Sequence, residues 1–138
     1  MSTSWETEVI GETPHWKVSR NAALRVIFLE RLRERLTGVA EVDQSFDAVR
    51  RIFGMAPLNA WGIVFDMRQA IPSGDAAIED AFRRNRQHLI KPFAKMAILL
   101  AGAVGVLQVQ RMMKDAPDPR IGVFSDEESA MKWAAGGG

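Results

Sequence analysis

The chain has 138 residues, 47% apolar and 25% charged, a balance that suits one globular domain with a single core and excludes a disordered or fibrous chain. Cysteine is absent, so disulfides, thiolate zinc sites and thiol nucleophiles are excluded together, and a reducing compartment such as the cytoplasm is expected. The net charge of +1 is too small to draw nucleic acid by bulk electrostatics, and no apolar run approaches the roughly 20 residues of a membrane helix.

The start, MSTSWETEV, lacks the basic and then apolar pattern of a leader, and residues 1–14 read as an arm or edge strand built on Trp5 to Ile10. Two β-branched and aromatic runs follow, Trp16 to Ser19 and Leu24 to Glu30, around a polar Asn-containing turn, which predicts an antiparallel hairpin. A rival is a helix, because Leu24, Phe28, Leu32 and Leu36 recur every four residues and Thr37-Gly38 would close it; the hairpin is preferred. From Asp43 or Ser45 to Ala56 the spacing of Phe46, Val49, Ile52, Phe53 and Ala56 predicts a half-buried helix that Pro57 ends.

WGIVFDM, residues 61 to 67, is apolar on both alternations, the mark of a strand covered on both faces. Asp75 to Lys91 returns to helical spacing, with Ile78, Phe82 and Leu89 inward and Arg83, Arg84 and Gln87 outward. A second buried strand is expected at Lys95 to Ala101, a helix at 103–115 and a short strand at Arg120 to Phe124. Ser125 and Glu128 form a capping box for a last helix that reaches Ala135. Residues 136–138 read as a flexible tail. Strands separated by helices imply a parallel portion, so the fold class expected for residues 15–135 is a single α/β domain: a mixed sheet flanked by helices.

The residues name little chemistry. His15 and His88 lack carboxylates at helix spacing, so no metal site and no cofactor is expected, and no nucleophile elbow is present. Asp66 ends a strand without neighbouring carboxylates to hold a divalent cation. Glu79 and Asp80 are adjacent, so a helix splays them about 100° apart, and they read as solvated groups offsetting the helix dipole. The cluster Arg83-Arg84-Asn85-Arg86-Gln87 reads as a solvated helix face rather than a nucleic-acid surface. Gly102 and Gly105 follow a strand and begin a helix, where they serve close packing or, with Arg68, cradle an anion. On that helix Val104 and Leu107 fall among Gln108, Arg111 and Lys114, a small docking patch rimmed by polar groups.

GIVFDMRQAIPSGDAAIEDAF, KMAILLAGAVGVLQVQRM and RIGVFSDEESAMKW, in that order, resemble the STAS superfamily, the sulfate-transporter and anti-sigma-antagonist fold, over roughly residues 15–135. The resemblance implies a four- or five-stranded mixed sheet flanked by helices, no catalysis, and a regulatory module that binds another protein. In anti-anti-sigma members a strand-to-helix loop carries Asp-Ser-Ser-Gly, whose serine a kinase phosphorylates. Ser73 and Gly74 occupy the matching loop, but Pro72 stands where the aspartate is expected and the second serine is absent. Ser73 is therefore a candidate phosphoacceptor, or else Ser73 or Asp75 is a helix cap. The docking surface expected comprises Arg68, Ser73, Gly74, Asp75, Val104, Leu107 and Arg111. The alternative is a small anionic ligand or lipid bound at the C-terminal ends of the parallel strands, held by Arg68 and the amides near Gly102 and Gly105. A free edge strand would also allow a homo-oligomer.

Overall fold

A strand buried on both faces divides its side chains between two cores, and here two cores form. A computed structural model describes residues 7–54, 58–71, 73–114 and 117–136. A mixed sheet of order β1-β2-β3-β4-β5-β6 comprises β1 (Glu8–Glu12), β2 (Trp16–Asn21), β3 (Val26–Arg31), β4 (Gly62–Asp66), β5 (Lys95–Leu99) and β6 (Ile121–Phe124). The first three strands pair antiparallel and β3 to β6 pair parallel. Ile27 and Leu29, Ile63 and Phe65, and Met96 and Ile98 enter a large core with α1 (Val39–Phe53) and α2 (Ala76–Ile90). The alternate residues Val26, Val64, Ala97 and Leu99 enter a smaller core with α4 (Glu127–Ala134). The remaining helix, α3 (Ala103–Met112), lies beside β6. No helix among the described residues is long and apolar enough to cross a membrane.

The large core is organised around Trp16. Its ring centroid stands 5.2 Å from Phe46, 5.5 Å from Phe65 and 5.9 Å from Phe82, so β2, α1, β4 and α2 meet in one aromatic cluster. Such contacts add to the area they bury, by about 0.5–1.5 kcal/mol per pair. A polar seam joins α1 to α2 nearby, where buried Asn85 donates to Asp43 at 2.8 Å and to its own helix's Ala81 carbonyl at 2.9 Å.

The hairpin forms and the rival helix does not. Asn21 Oδ1 accepts the Leu24 N–H at 2.9 Å and closes the turn, with Arg25 at φ 56°. The four-residue spacing is incidental, since Leu24 and Phe28 pack on the small core while Leu36, beyond the strand, packs on the large one.

Several boundaries differ from expectation. Helix α1 begins at Val39, ahead of Asp43, because Gly38 takes the N-cap in extended backbone and Glu41 reaches back to the Thr37 N–H at 3.1 Å. Strand β1 runs past Ile10 to Glu12, with Gly11 next to a bulge and so close to Ile52 that a Cβ would stand 2.7 Å from that side chain. The cap of α4 is Asp126, which accepts from the Ser129 N–H at 2.8 Å, and not Ser125. The sheet has six strands rather than four or five. Trp5, Ala56 and Pro57 lie outside the described residues.

Close packing uses other glycines than those expected. A Cβ on Gly102 would meet nothing within 4 Å, and one on Gly105 only Leu100 at 3.6 Å, whereas one on Gly62 would fall 1.8 Å from the Ala134 carbonyl oxygen. We predict that Gly62→Ala lowers unfolding stability by at least about 2 kcal/mol through this overlap. By the same physics Gly105→Ala, within a helix, should raise it by about 0.5–1 kcal/mol. Urea titration followed by circular dichroism checks both signs.

Candidate functional site

Helix α2 packs against α1 while α3 packs against β6, and the space left between α2 and α3 is a cleft of about 580 Å³. That volume lies in the ~300–1,000 Å³ range of small-molecule sites. Phe65 of β4 and Ile98 of β5 lie beneath its floor, and Met67 and Leu100, each just past the end of its strand, follow the same alternation onto it. Ile78, Phe82 and Arg86 of α2 form one wall and Gln108 and Val109 of α3 the other. Arg31 and residues 35–37 close one end, and Ser73, Asp75 and Glu79 stand at the rim.

Of the three arginines that line this cleft, Arg35 is exposed at the rim, and the other two are in opposite situations. Arg31 is 4% exposed; it donates to the carbonyls of His15 at 3.1 Å, Leu32 at 2.6 Å and Glu34 at 2.7 Å, and lies 5.5 Å from the Trp16 ring centroid. Burial pulls its pKa below the ordinary value, with Glu34 and Glu41 opposing. Arg31 is a structural tie between the β1–β2 turn and the 32–37 loop. Arg86 is half-buried, and among the described residues its guanidinium has no acceptor and no carboxylate partner. Burial, reinforced by the charge of Arg83, pulls the Arg86 pKa below its ordinary value. An arginine still stays charged at neutral pH, so the cleft holds a partly desolvated cation that pairs with no carboxylate among the described residues.

The rim carboxylates are occupied elsewhere. Asp75 caps α2, accepting the N–H of Ala77 at 2.9 Å and of Ile78 at 3.3 Å. Glu79 accepts from the Ser73 N–H and Oγ, both at 3.1 Å, and Ser73 Oγ in turn accepts the Asp75 N–H at 3.1 Å. Gly74 between them sits at φ 73°, which a side chain would strain. The cap of this helix is therefore Asp75, and Ser73 is an exposed hydroxyl pinned to Glu79.

Arg68 lies on the other face. Asp66, 3% exposed, accepts the Arg68 N–H and Nε at 3.0 Å and Nη2 at 2.9 Å, and Nη2 also reaches Glu127 of α4 at 3.1 Å. Hydrogen bonding to Asp66 is the main cause that raises the Arg68 pKa. Arg68 is a clamp between β4 and α4, and neither it nor Gly102 or Gly105 lines the cleft. None of the expected anion-binding trio therefore contributes to this cleft. Val104 at 70% and Leu107 at 54% exposure do stand out from α3, with Arg111 exposed beside them. No group of three or more His, Asp or Glu residues suited to a metal is found among the described residues.

The sequence reading missed Arg86 by grouping it with solvated neighbours. Arg83 does pair with Asp80, and Arg84 with Asp43 at 3.4 Å, but Arg86 continues the inward stripe of Ile78 and Phe82 at four-residue spacing. That spacing was the available signal. No family model, curated protein or solved structure matches the chain.

The two arginines should respond oppositely to substitution. Arg86→Met removes an uncompensated charge and keeps the stem's packing, so the urea midpoint should stay or rise. Arg31→Met leaves the Leu32 and Glu34 carbonyls without their donor, while the His15 carbonyl keeps the Leu32 N–H, and should cost at least about 2 kcal/mol.

Proposed function

We propose that this chain is a non-catalytic, cytoplasmic binding module of the STAS type, which takes a small organic anion into the cleft between α2 and α3. The observation that carries the reading is Arg86, a guanidinium held in a largely apolar cleft with no partner among the described residues. A charge kept there lowers stability unless a ligand supplies the counter-charge, and a binding site is a recurrent reason for that arrangement. The engagement of Asp75 and Glu79 in holding the rim favours binding over acid–base chemistry.

A second role, docking to a regulatory protein, is supported by exposed Val104 and Leu107 on the outer side of the helix whose Gln108 and Val109 line the cleft. In this reading the same helix serves both surfaces. Ser73 is the proposed point of phosphorylation control, since a phosphoryl group there would face the Glu79 carboxylate and release the rim contact.

Native mass spectrometry of the freshly purified protein tests the first role. A small anionic adduct is expected on the wild type and not on Arg86→Met, and an adduct of equal abundance on both would count against the reading. Affinity capture tests the second: Leu107→Glu should lose the partner recovered by the wild type, and unchanged recovery would remove this face from the account.

A further inference from the structure

The cleft also restricts which anion fits, an inference that rests on the reading of the cleft as an anion site. Its charges are unevenly available. Arg31 is engaged by three carbonyl groups, and Arg35 is exposed at the rim, which leaves Arg86 as the inward cation without a partner among the described residues. Asp75 and Glu79 place two carboxylates at the same rim, where they would repel a multiply charged ligand.

Phosphate groups are commonly held at helix N-termini, by several backbone N–H groups at once. Here that device is closed off. The Asp75 side chain already accepts the free N–H groups of Ala77 and Ile78 at the start of α2, and the first residues of α3 lie outside the lining. What remains inside the cleft, with Arg35 exposed at its rim, is the planar fork of Arg86, whose two parallel donors match one carboxylate. Around it the partly exposed Met67, Ile78, Phe82, Leu100 and Val109 offer an apolar surface that a hydrated or sugar-bearing ligand would leave unsatisfied.

We infer that the cleft takes a monocarboxylate with an apolar body, its carboxylate on the Arg86 guanidinium and its body against the sheet floor, and that it discriminates against phosphate esters and nucleotides. Phe82 and Ile78 precede Arg86 by one and two turns on the same stripe, so head and body contacts come from one helix.

Isothermal titration of the full chain with octanoate, octyl phosphate, octylamine and adenosine diphosphate tests this. Octanoate should bind, with octyl phosphate at least about tenfold weaker and no measurable heat from the amine or the nucleotide. Arg86→Met should weaken octanoate at least about tenfold, the equivalent of one charge-assisted hydrogen bond. Arg86→Lys, which keeps the charge without the fork, should fall between the two; circular dichroism confirms that both variants fold. Preferential binding of octyl phosphate or the nucleotide would overturn the ligand class and leave the anion reading standing. Equal octanoate affinity in wild type and Arg86→Met would overturn the assigned contact. No binding by any of the three anions would overturn both the class and the anion reading.

Discussion

In β3, β4 and β5 the apolar side chains alternate between two cores, because helices cover both faces of these strands. That alternation decides where chemistry can occur. Phe65 and Met67 reach the cleft, whereas Asp66 and Arg68, one step out of phase, reach α4 and form a clamp with Glu127. A shift of one residue would exchange the two sets, so the register with β3 and β5 also specifies the cleft floor.

The helices respond to the same constraint unequally. Trp16 draws α1 and α2 onto the large core through Phe46 and Phe82, and the Asn85–Asp43 bond binds those two helices to each other. α3 has no fully buried residue among those described, and only Val109 and Met113 near its end pack on the core. The cleft lies at this uneven boundary, between a firmly anchored wall and a lightly anchored one. A ligand there would add contacts that the fold itself does not supply, and its effect would fall mainly on α3, where Val104 and Leu107 face outward.

Much of this fold was legible in the sequence, for physical reasons that also explain the failures. The doubly apolar run at 62–66 and the Asn turn at 21 are local signals, and both elements formed as read. The beginning of α1 was missed because a glycine N-cap carries no side-chain signature, and Asp126 displaced Ser125 as a cap by one position. The cleft's location at the C-terminal ends of the strands was anticipated from topology, but its cation was not. Arg68 adjoins β4 in sequence, but in the turn after that strand it bonds Asp66 and Glu127 on the opposite face. Arg86 was passed over because its neighbours Arg83 and Arg84 do face solvent, and composition outweighed the stripe of Ile78 and Phe82.

Arg86 has no partner among the described residues, and the proposed anion would pair with it. A crystal structure of the protein grown with octanoate examines this atom by atom. The expected result is a carboxylate in two parallel hydrogen bonds to the Arg86 guanidinium, with the alkyl chain against Ile78, Phe82 and Leu100. A guanidinium already paired with a protein carboxylate, or octanoate bound away from the cleft, would contradict it.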